Sequence, residues 1–192
     1  MDTTNIFLGE KLRLTEIHPK KDAETEADWM QDMAYVNLRK QMPARPLSVT
    51  ALCKDLEEKL KESDEGRSTF YYAIRERDDE SSLVGFMYVV DIEWKNGQGF
   101  LQLLFKDEAT THMSMPESLQ LALRYVFDEL SLVHICMEVL DYAEAAITVI
   151  ENAGFLLEAR LREIAYHAGA YHDHLIYGLL AEEWRQTRED QA

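Results

Sequence analysis

The sequence predicts a mixed α/β fold of the α+β kind, with a central, mostly antiparallel sheet of about six to seven strands flanked by four helices. Three observations carry this. The runs "TFYYAIRE", "SLVGFMYVVDIEW" and "FLQLLF" are rich in aromatic and branched residues, and Asn96-Gly97 turns the second into the third, giving an antiparallel meander. A helical stretch separates "FLQLLF" from "VHICMEVL", and a connection through a helix favours parallel pairing of those two strands. Gly154 and Gly169 then punctuate a further helix and a closing pair of strands.

In chain order, "KLRLTEI" alternates and forms the first strand, and the polar stretch "HPKKDAETEADWMQDM" holds a helix starting near Asp22. "PLSVTALCKDLEEKLKES" is a second helix: Ser48 caps it, Leu47 and Leu52 staple across the cap, and Leu52, Leu56 and Leu60 share one stripe. After the meander, "DEATTHMSMPESLQLALRYVF" opens as a loop and becomes an amphipathic helix over residues 116–130. Ser114-Met115-Pro116-Glu117 reads as its S-x-x-E capping box. A last helix runs from about 142 to 153, ended by Gly154, and the tail "FLLEARLREIAYHAGAYHDHLIYGLLAEEW" makes two strands around a turn near Gly169. No repeat, low-complexity tract or long linker divides the chain, so one domain over residues 1–192 is expected.

A chain of 192 residues with 46% hydrophobic residues can bury a full core. Its formal charge of −16 argues against nucleic acid or an anionic membrane as the main partner, since both need a basic footprint. The acid is spread, with Glu57 and Glu58 beside Lys59 and Lys61, which suits a solvated surface better than an acidic tail. No segment approaches the roughly 18 apolar residues of a membrane span, and the first residues lack a basic start followed by an apolar stretch, so the expected compartment is the cytoplasm. Cys53 and Cys136 have no CxxC or metal spacing and are expected as two separate thiols.

The segments "LGEKLRLTEI", "ESLQLALRYVFDELSL", "AAITVIENAGFLLEARLREIAY" and "GAYHDHLIYGLLAEEW" carry a resemblance that covers nearly the whole chain. The sequence resembles the GNAT superfamily of acyl-CoA-dependent N-acetyltransferases, and within it the branch that acetylates ribosomal-protein N-termini and related amines. The resemblance implies acetyl-CoA as cofactor, held in the groove between "FLQLLF" and "VHICMEVL" against Leu103, Leu104 and Phe105. It also implies R-G-x-G-x-G/A just before "ESLQLALRYVF", where glycines let the backbone approach a pyrophosphate and the helix start offers free N–H groups. Counted back from Glu117, that pattern falls on Thr110, Thr111, His112, Met113, Ser114 and Met115, so every glycine and the arginine are replaced.

Thr111, His112, Met113, Ser114 and Met115 are therefore the expected contacts of a weakened pyrophosphate loop, with a well-capped ordinary helix as the competing reading. By the same resemblance, a family asparagine falls on Ala143 and the tyrosine that protonates the leaving thiolate falls on Ile150, which has no proton to give. Tyr142 is one residue from the asparagine position, turned about 100° away on a helix. Asp91 and Glu93, two apart on a strand and so expected on one face, are the candidate general bases for the amine; exposed carboxylates at a hairpin end are an equally simple reading. His134 is an alternative base.

His172 and His174 alternate on a strand and His167 can reach across the turn, a spacing that zinc or nickel accepts. Incidental surface histidines on the fold's last hairpin are the simpler account, and no metal is expected. Two functions follow. One is an acetyl-CoA-dependent N-acetyltransferase acting on a primary amine, of a small molecule or a protein N-terminus. The other is a catalytically inactive GNAT scaffold that binds a protein or small ligand, with a homodimer as a compatible assembly.

Overall fold

The computed structural model describes residues 5–32, 35–36 and 45–190. Strand β1 (Leu12–Thr15) leads through helices α1 (Pro19–Trp29) and α2 (Val49–Gly66) into the meander β2 (Phe70–Glu76), β3 (Leu83–Glu93) and β4 (Gln98–Phe105). Helix α3 (Glu108–Arg124) closes with a π-helical turn at Tyr125–Glu129. Then come β5 (His134–Leu140), α4 (Glu144–Asn152), β6 (Leu156–His167), β7 (Ala170–Leu180) and α5 (Ala181–Asp190). The seven strands make one sheet in the order β1-β2-β3-β4-β5-β7-β6, antiparallel throughout except for β4 against β5. That is the sheet the sequence predicts; α5 is an additional helix, formed by the "AEEW" end that was read as part of the closing strands. Met33, at the end of the stretch read for the first helix, lies outside the described residues.

Local signals account for the elements. Pro19 occupies the first turn of α1, where its missing N–H costs nothing, and Ser48 Oγ accepts the Ala51 N–H at 3.2 Å to start α2. Gly97 (φ 65°) turns β3 into β4, and Gly154 (φ 94°) ends α4 in the left-handed region.

The sheet has a core on each face. On one, α1 and α2 pack Ala23, Trp29, Leu52 and Leu56 against Ala73, Phe86, Tyr88 and Leu104 of the meander. On the other, α3, α4 and α5 cover Met87, Val89, Leu101, Ile135, Met137, Leu175 and Tyr177. In β5 the residues Ile135, Met137 and Val139 go under the helices, while His134, Cys136 and Glu138 face the opposite side and stay half-buried. Within the first core sits an ion pair: Arg75 Nη2 donates to both Asp22 oxygens at 2.8 Å, and Arg75 Nε donates to Thr15 Oγ1 at 3.0 Å. The two side chains are 0% and 1% exposed, so the pair joins β1, α1 and β2 away from water.

Helix α3 departs from the sequence reading. It starts at Glu108, not at Pro116, because Asp107 is the N-cap: its Oδ1 accepts the Thr110 N–H at 2.7 Å, with Glu108 adding favourable negative charge in the first turn. Ser114 is inside the helix and caps nothing. Glu117 does not close a capping box either; its Oε1 accepts the N–H groups of Lys11 at 2.8 Å and Leu12 at 3.1 Å, fastening the start of β1 to α3. Pro116 sits within α3, where the His112 carbonyl loses its usual donor four residues on.

Gly9 completes this fastening, since a Cβ there would fall on Glu117 Oε1 and 3.0 Å from the Leu12 carbonyl oxygen. Gly9→Ala is expected to lower stability by about 1–3 kcal/mol through overpacking, read from urea unfolding. Unchanged stability would mean that Glu117 does not hold β1 in solution.

The outer strand β6 is long and irregular. Its register against β7 shifts between Leu157 and Ala159 and again between Leu161 and Ala165. Asp173 stabilises the second shift by accepting the Glu163 N–H at 2.9 Å, with Glu163 in the left-handed region at φ 54°.

Candidate functional site

The parallel pairing of β4 with β5 runs only from Gln98↔His134 to Phe100↔Cys136. Beyond Phe100, β4 continues against β3 as far as Phe105↔Gly85, and β5 continues against β7 as far as Leu140↔His174. The two central strands therefore part while each keeps its outer neighbour, and a wedge opens between residues 101–105 and 137–140. The Gly97 carbonyl accepts from Val133 and His134 across this junction, at 2.7 and 3.1 Å. By the two-residue repeat of a strand, the peptide groups of Leu101, Leu103 and Phe105 point to that same edge, where β5 has moved away. Free backbone groups at the carboxyl ends of parallel strands, where the connections diverge, are where α/β sheets accept ligands.

Leu103, Leu104 and Phe105 form the β4 wall of the wedge: Leu104 belongs to the core under α1 and α2, and Phe105 to the core under α3. Thr111, His112, Met113, Ser114 and Met115 all lie in the first two turns of α3. Met113 is 76% exposed, whereas Met115 is 3% exposed and packed in the core. Because the segment is helical, the N–H groups of residues 112–115 are directed along the helix at carbonyls four residues back. Nearer the start, Thr110 donates to the Asp107 side chain and Thr111 to the Asp107 carbonyl at 3.0 Å. Burial is the largest single influence on Asp107 and raises its carboxyl pKa, but the hydrogen bonds from Thr110 and the nearby Lys106 charge together outweigh it and hold the carboxyl below the usual aspartate range. The start of α3 thus presents carboxylates of Asp107 and Glu108 with its inner donors already engaged.

Asp91 and Glu93 are both exposed at the β3–β4 hairpin. Asp91, with φ 52°, lies inside a bulge, where the register shifts between Val90 and Glu93, and burial alternates exposed, buried, exposed from Asp91 through Ile92 to Glu93. Glu93 Oε2 accepts from Asn96 Nδ2 at 2.7 Å and Gln98 Nε2 at 3.1 Å. Glu93 pairs with Gln98, two residues before the strands part, or about 7 Å along β4. Ile150 is 1% exposed on α4, inside the helix-covered core, and Ala143 precedes α4 without a side-chain cap.

Two side-chain groups were not visible in the sequence. At the mouth of the wedge, directly after β5, Asp141 Oδ1 meets His172 Nδ1 at 2.8 Å and Asp141 Oδ2 accepts the Asp173 N–H at 3.1 Å. The Asp173 N–H, then His172, lower the Asp141 carboxyl pKa against the opposing effect of burial. Tyr142 stacks on His167 at 4.5 Å and meets His172 edge-on at 4.8 Å, while His174 faces Glu138 at 3.8 Å. His167 and His172 thus share Tyr142, with their ring centroids 6.1 Å apart, while His174 meets Glu138. At the closed end of the wedge, His134 Nε2 meets Glu158 Oε1 at 3.0 Å with Cys136 beside them. Burial, then Glu158, push the Cys136 thiol up to about 11. Cys53 is the other free cysteine.

Fold and wedge together define an acetyltransferase scaffold. Residues 11–156 match the acetyltransferase (GNAT) domain family, and the chain belongs to it. Among curated proteins, it is 29% identical over 140 residues to the SPbeta prophage-derived uncharacterized N-acetyltransferase YokL of Bacillus subtilis (strain 168), covering 72% of this chain and 75% of that one. Among solved structures, a probable acetyltransferase superposes with a TM-score of 0.78 at 20% identity, covering 94% of this chain and 97% of the other. Spermidine N-acetyltransferase from Vibrio cholerae, in complex with CoA and spermine, superposes at 0.74 with 18% identity over 92% and 99% of the two chains. These structural likenesses establish the shared fold.

Proposed function

We propose that the chain is an acetyl-CoA-dependent N-acetyltransferase acting on a primary amine, which grips the acyl-bearing arm of the cofactor in the β4–β5 wedge and holds its diphosphate weakly. The observation that carries this reading is the parting of β4 and β5 after Phe100↔Cys136. An extended arm with amide groups can complete the strand edge left by Leu101, Leu103 and Phe105, while Leu104 and Phe105 keep the wall rigid. The diphosphate fits poorly: Asp107 and Glu108 would repel it, and Thr110 and Thr111 have already spent their N–H groups.

Acetyl-CoA supplies the activated thioester when bound. This chain's residues would orient the amine and remove its proton. Glu93, fixed by Asn96 and Gln98, and Asp91 beside it are the carboxylates proposed for the acceptor side. His172, aligned by Asp141 at the wedge mouth, is a second proton acceptor. The acceptor is a small-molecule amine or a protein N-terminus, as in the ribosomal-protein branch that the sequence resembles. The inactive-scaffold reading has one observation in its favour, the self-capped start of α3.

Titration calorimetry with acetyl-CoA and with S-acetylpantetheine separates these readings. Both ligands are expected to bind with dissociation constants less than about tenfold apart, a difference below 1.4 kcal/mol. A hundredfold preference for acetyl-CoA would overturn the weak-diphosphate reading. Absence of heat with both ligands would overturn the transferase reading and leave the binding scaffold.

A further inference from the structure

We propose that His134, Cys136 and Glu158 form a binding site for one divalent ion of the zinc class at the closed end of the β4–β5 wedge. The donor groups already lie side by side. His134 Nε2 and Glu158 Oε1 are 3.0 Å apart, Cys136 Sγ and His134 Nε2 3.8 Å, and Cys136 Sγ and Glu158 Oε2 3.9 Å. All three donors fall within 4.8 Å of one another. A tetrahedral zinc bound by sulfur, nitrogen and oxygen needs separations of about 3.3–3.6 Å; His134 and Cys136 meet different oxygens of Glu158, so on binding the carboxylate turns to bring one oxygen within reach of both.

The site is also built by the fold. Glu158 is the extra residue at the first register shift of β6, between Leu157 and Ala159. Gly178 of β7 stands between Glu158 and β5, and a Cβ there would coincide with the Glu158 carboxylate. The bulge and the glycine together let a carboxylate from β6 reach over β7 to His134 and Cys136 on β5. His134 and Glu158 are 22% and 44% exposed, so an ion reaches the site from solvent and keeps a fourth position for water.

The ligand set selects the metal. A thiolate and an imidazole disfavour magnesium and calcium, which take oxygen donors, and suit zinc or its spectroscopic substitute cobalt. On binding, the thiol proton leaves to solvent and the ion ties β5 to β6 across β7. Because Cys136 belongs to the last parallel pair, with Phe100, the ion would fix the apex from which the wedge opens.

Titration of the full chain with cobalt(II), followed by absorbance, tests the site without acetyl-CoA or acceptor. One equivalent is expected to give a thiolate-to-cobalt charge-transfer band with the intense visible bands of a tetrahedral ion, both bleached by zinc. Cys136→Ser should lose the charge-transfer band, and Cys53→Ser should keep it. Gly178→Val, which displaces Glu158, should weaken binding by about 10- to 100-fold; Glu158→Gln serves if that variant fails to fold, checked by far-UV circular dichroism. A band that survives Cys136→Ser, a band lost in Cys53→Ser, or no saturation near one equivalent would each overturn the proposal.

Discussion

The variant carrying Thr111→Gly, Met113→Gly and Met115→Gly is expected to lose roughly 3–7 kcal/mol of folding stability. On sequence alone these changes restore a flexible phosphate loop. In the structure they fall inside α3, which begins at Glu108. Thr111 and Met113 each exchange a tolerable helix former for glycine, at roughly 0.5–1 kcal/mol apiece. Met115 is 3% exposed and packed beside Leu119 and Phe105, so removing its side chain adds about 2–5 kcal/mol for lost burial and the cavity left behind. A domain with about 5–15 kcal/mol to spare would be left marginal, which urea unfolding followed by far-UV circular dichroism would register. A loss below 1 kcal/mol would mean that residues 108–115 are not helical in solution, and the argument against a diphosphate cradle would fall with them.

The second large effect concerns the ion pair under α1. Asp22→Asn removes the carboxylate to which Arg75 Nη2 donates, while leaving a guanidinium that is 0% exposed. Arg75 Nη1 already lacks a hydrogen-bond partner among the described residues. The cost is expected to be about 3–5 kcal/mol, because a buried charge is left uncompensated. The double variant Asp22→Leu with Arg75→Met should recover most of it, since an apolar pair of similar volume avoids desolvating either charge. If Asp22→Asn unfolds at the wild-type urea midpoint, water reaches the pair and the enclosed description of it is wrong.

What the sequence made legible was local. Ser48, Asn96-Gly97 and Gly154 act through bonds or dihedrals within a few residues, and the meander with its single parallel crossover follows from them. The start of α3 was misread because two caps competed, and Pro116 after Ser114 imitates a first helical turn. Asp107 prevailed because residues 108–115 contain no glycine or proline, so nothing stops a helix from propagating once Thr110 is capped. Asp91 gave no warning of its bulge, since only glycine advertises the left-handed region and aspartate merely tolerates it. Asp141 with His172, and His134 with Cys136 and Glu158, come together through pairings more than 20 residues apart, which depend on the order β5-β7-β6.

That order leaves β6 as an outer strand of twelve residues with Leu156, Leu161, Ile164 and Tyr166 exposed. A flat strand of this length and composition would be a template for runaway strand-on-strand aggregation. The shifts at Glu158 and around Glu163 break its row of free amide groups into pieces of a few residues, and Arg160 and Arg162 place charge between the apolar side chains. The irregularity that aims Glu158 across Gly178 therefore also keeps the rim of the sheet from recruiting a stranger's strand.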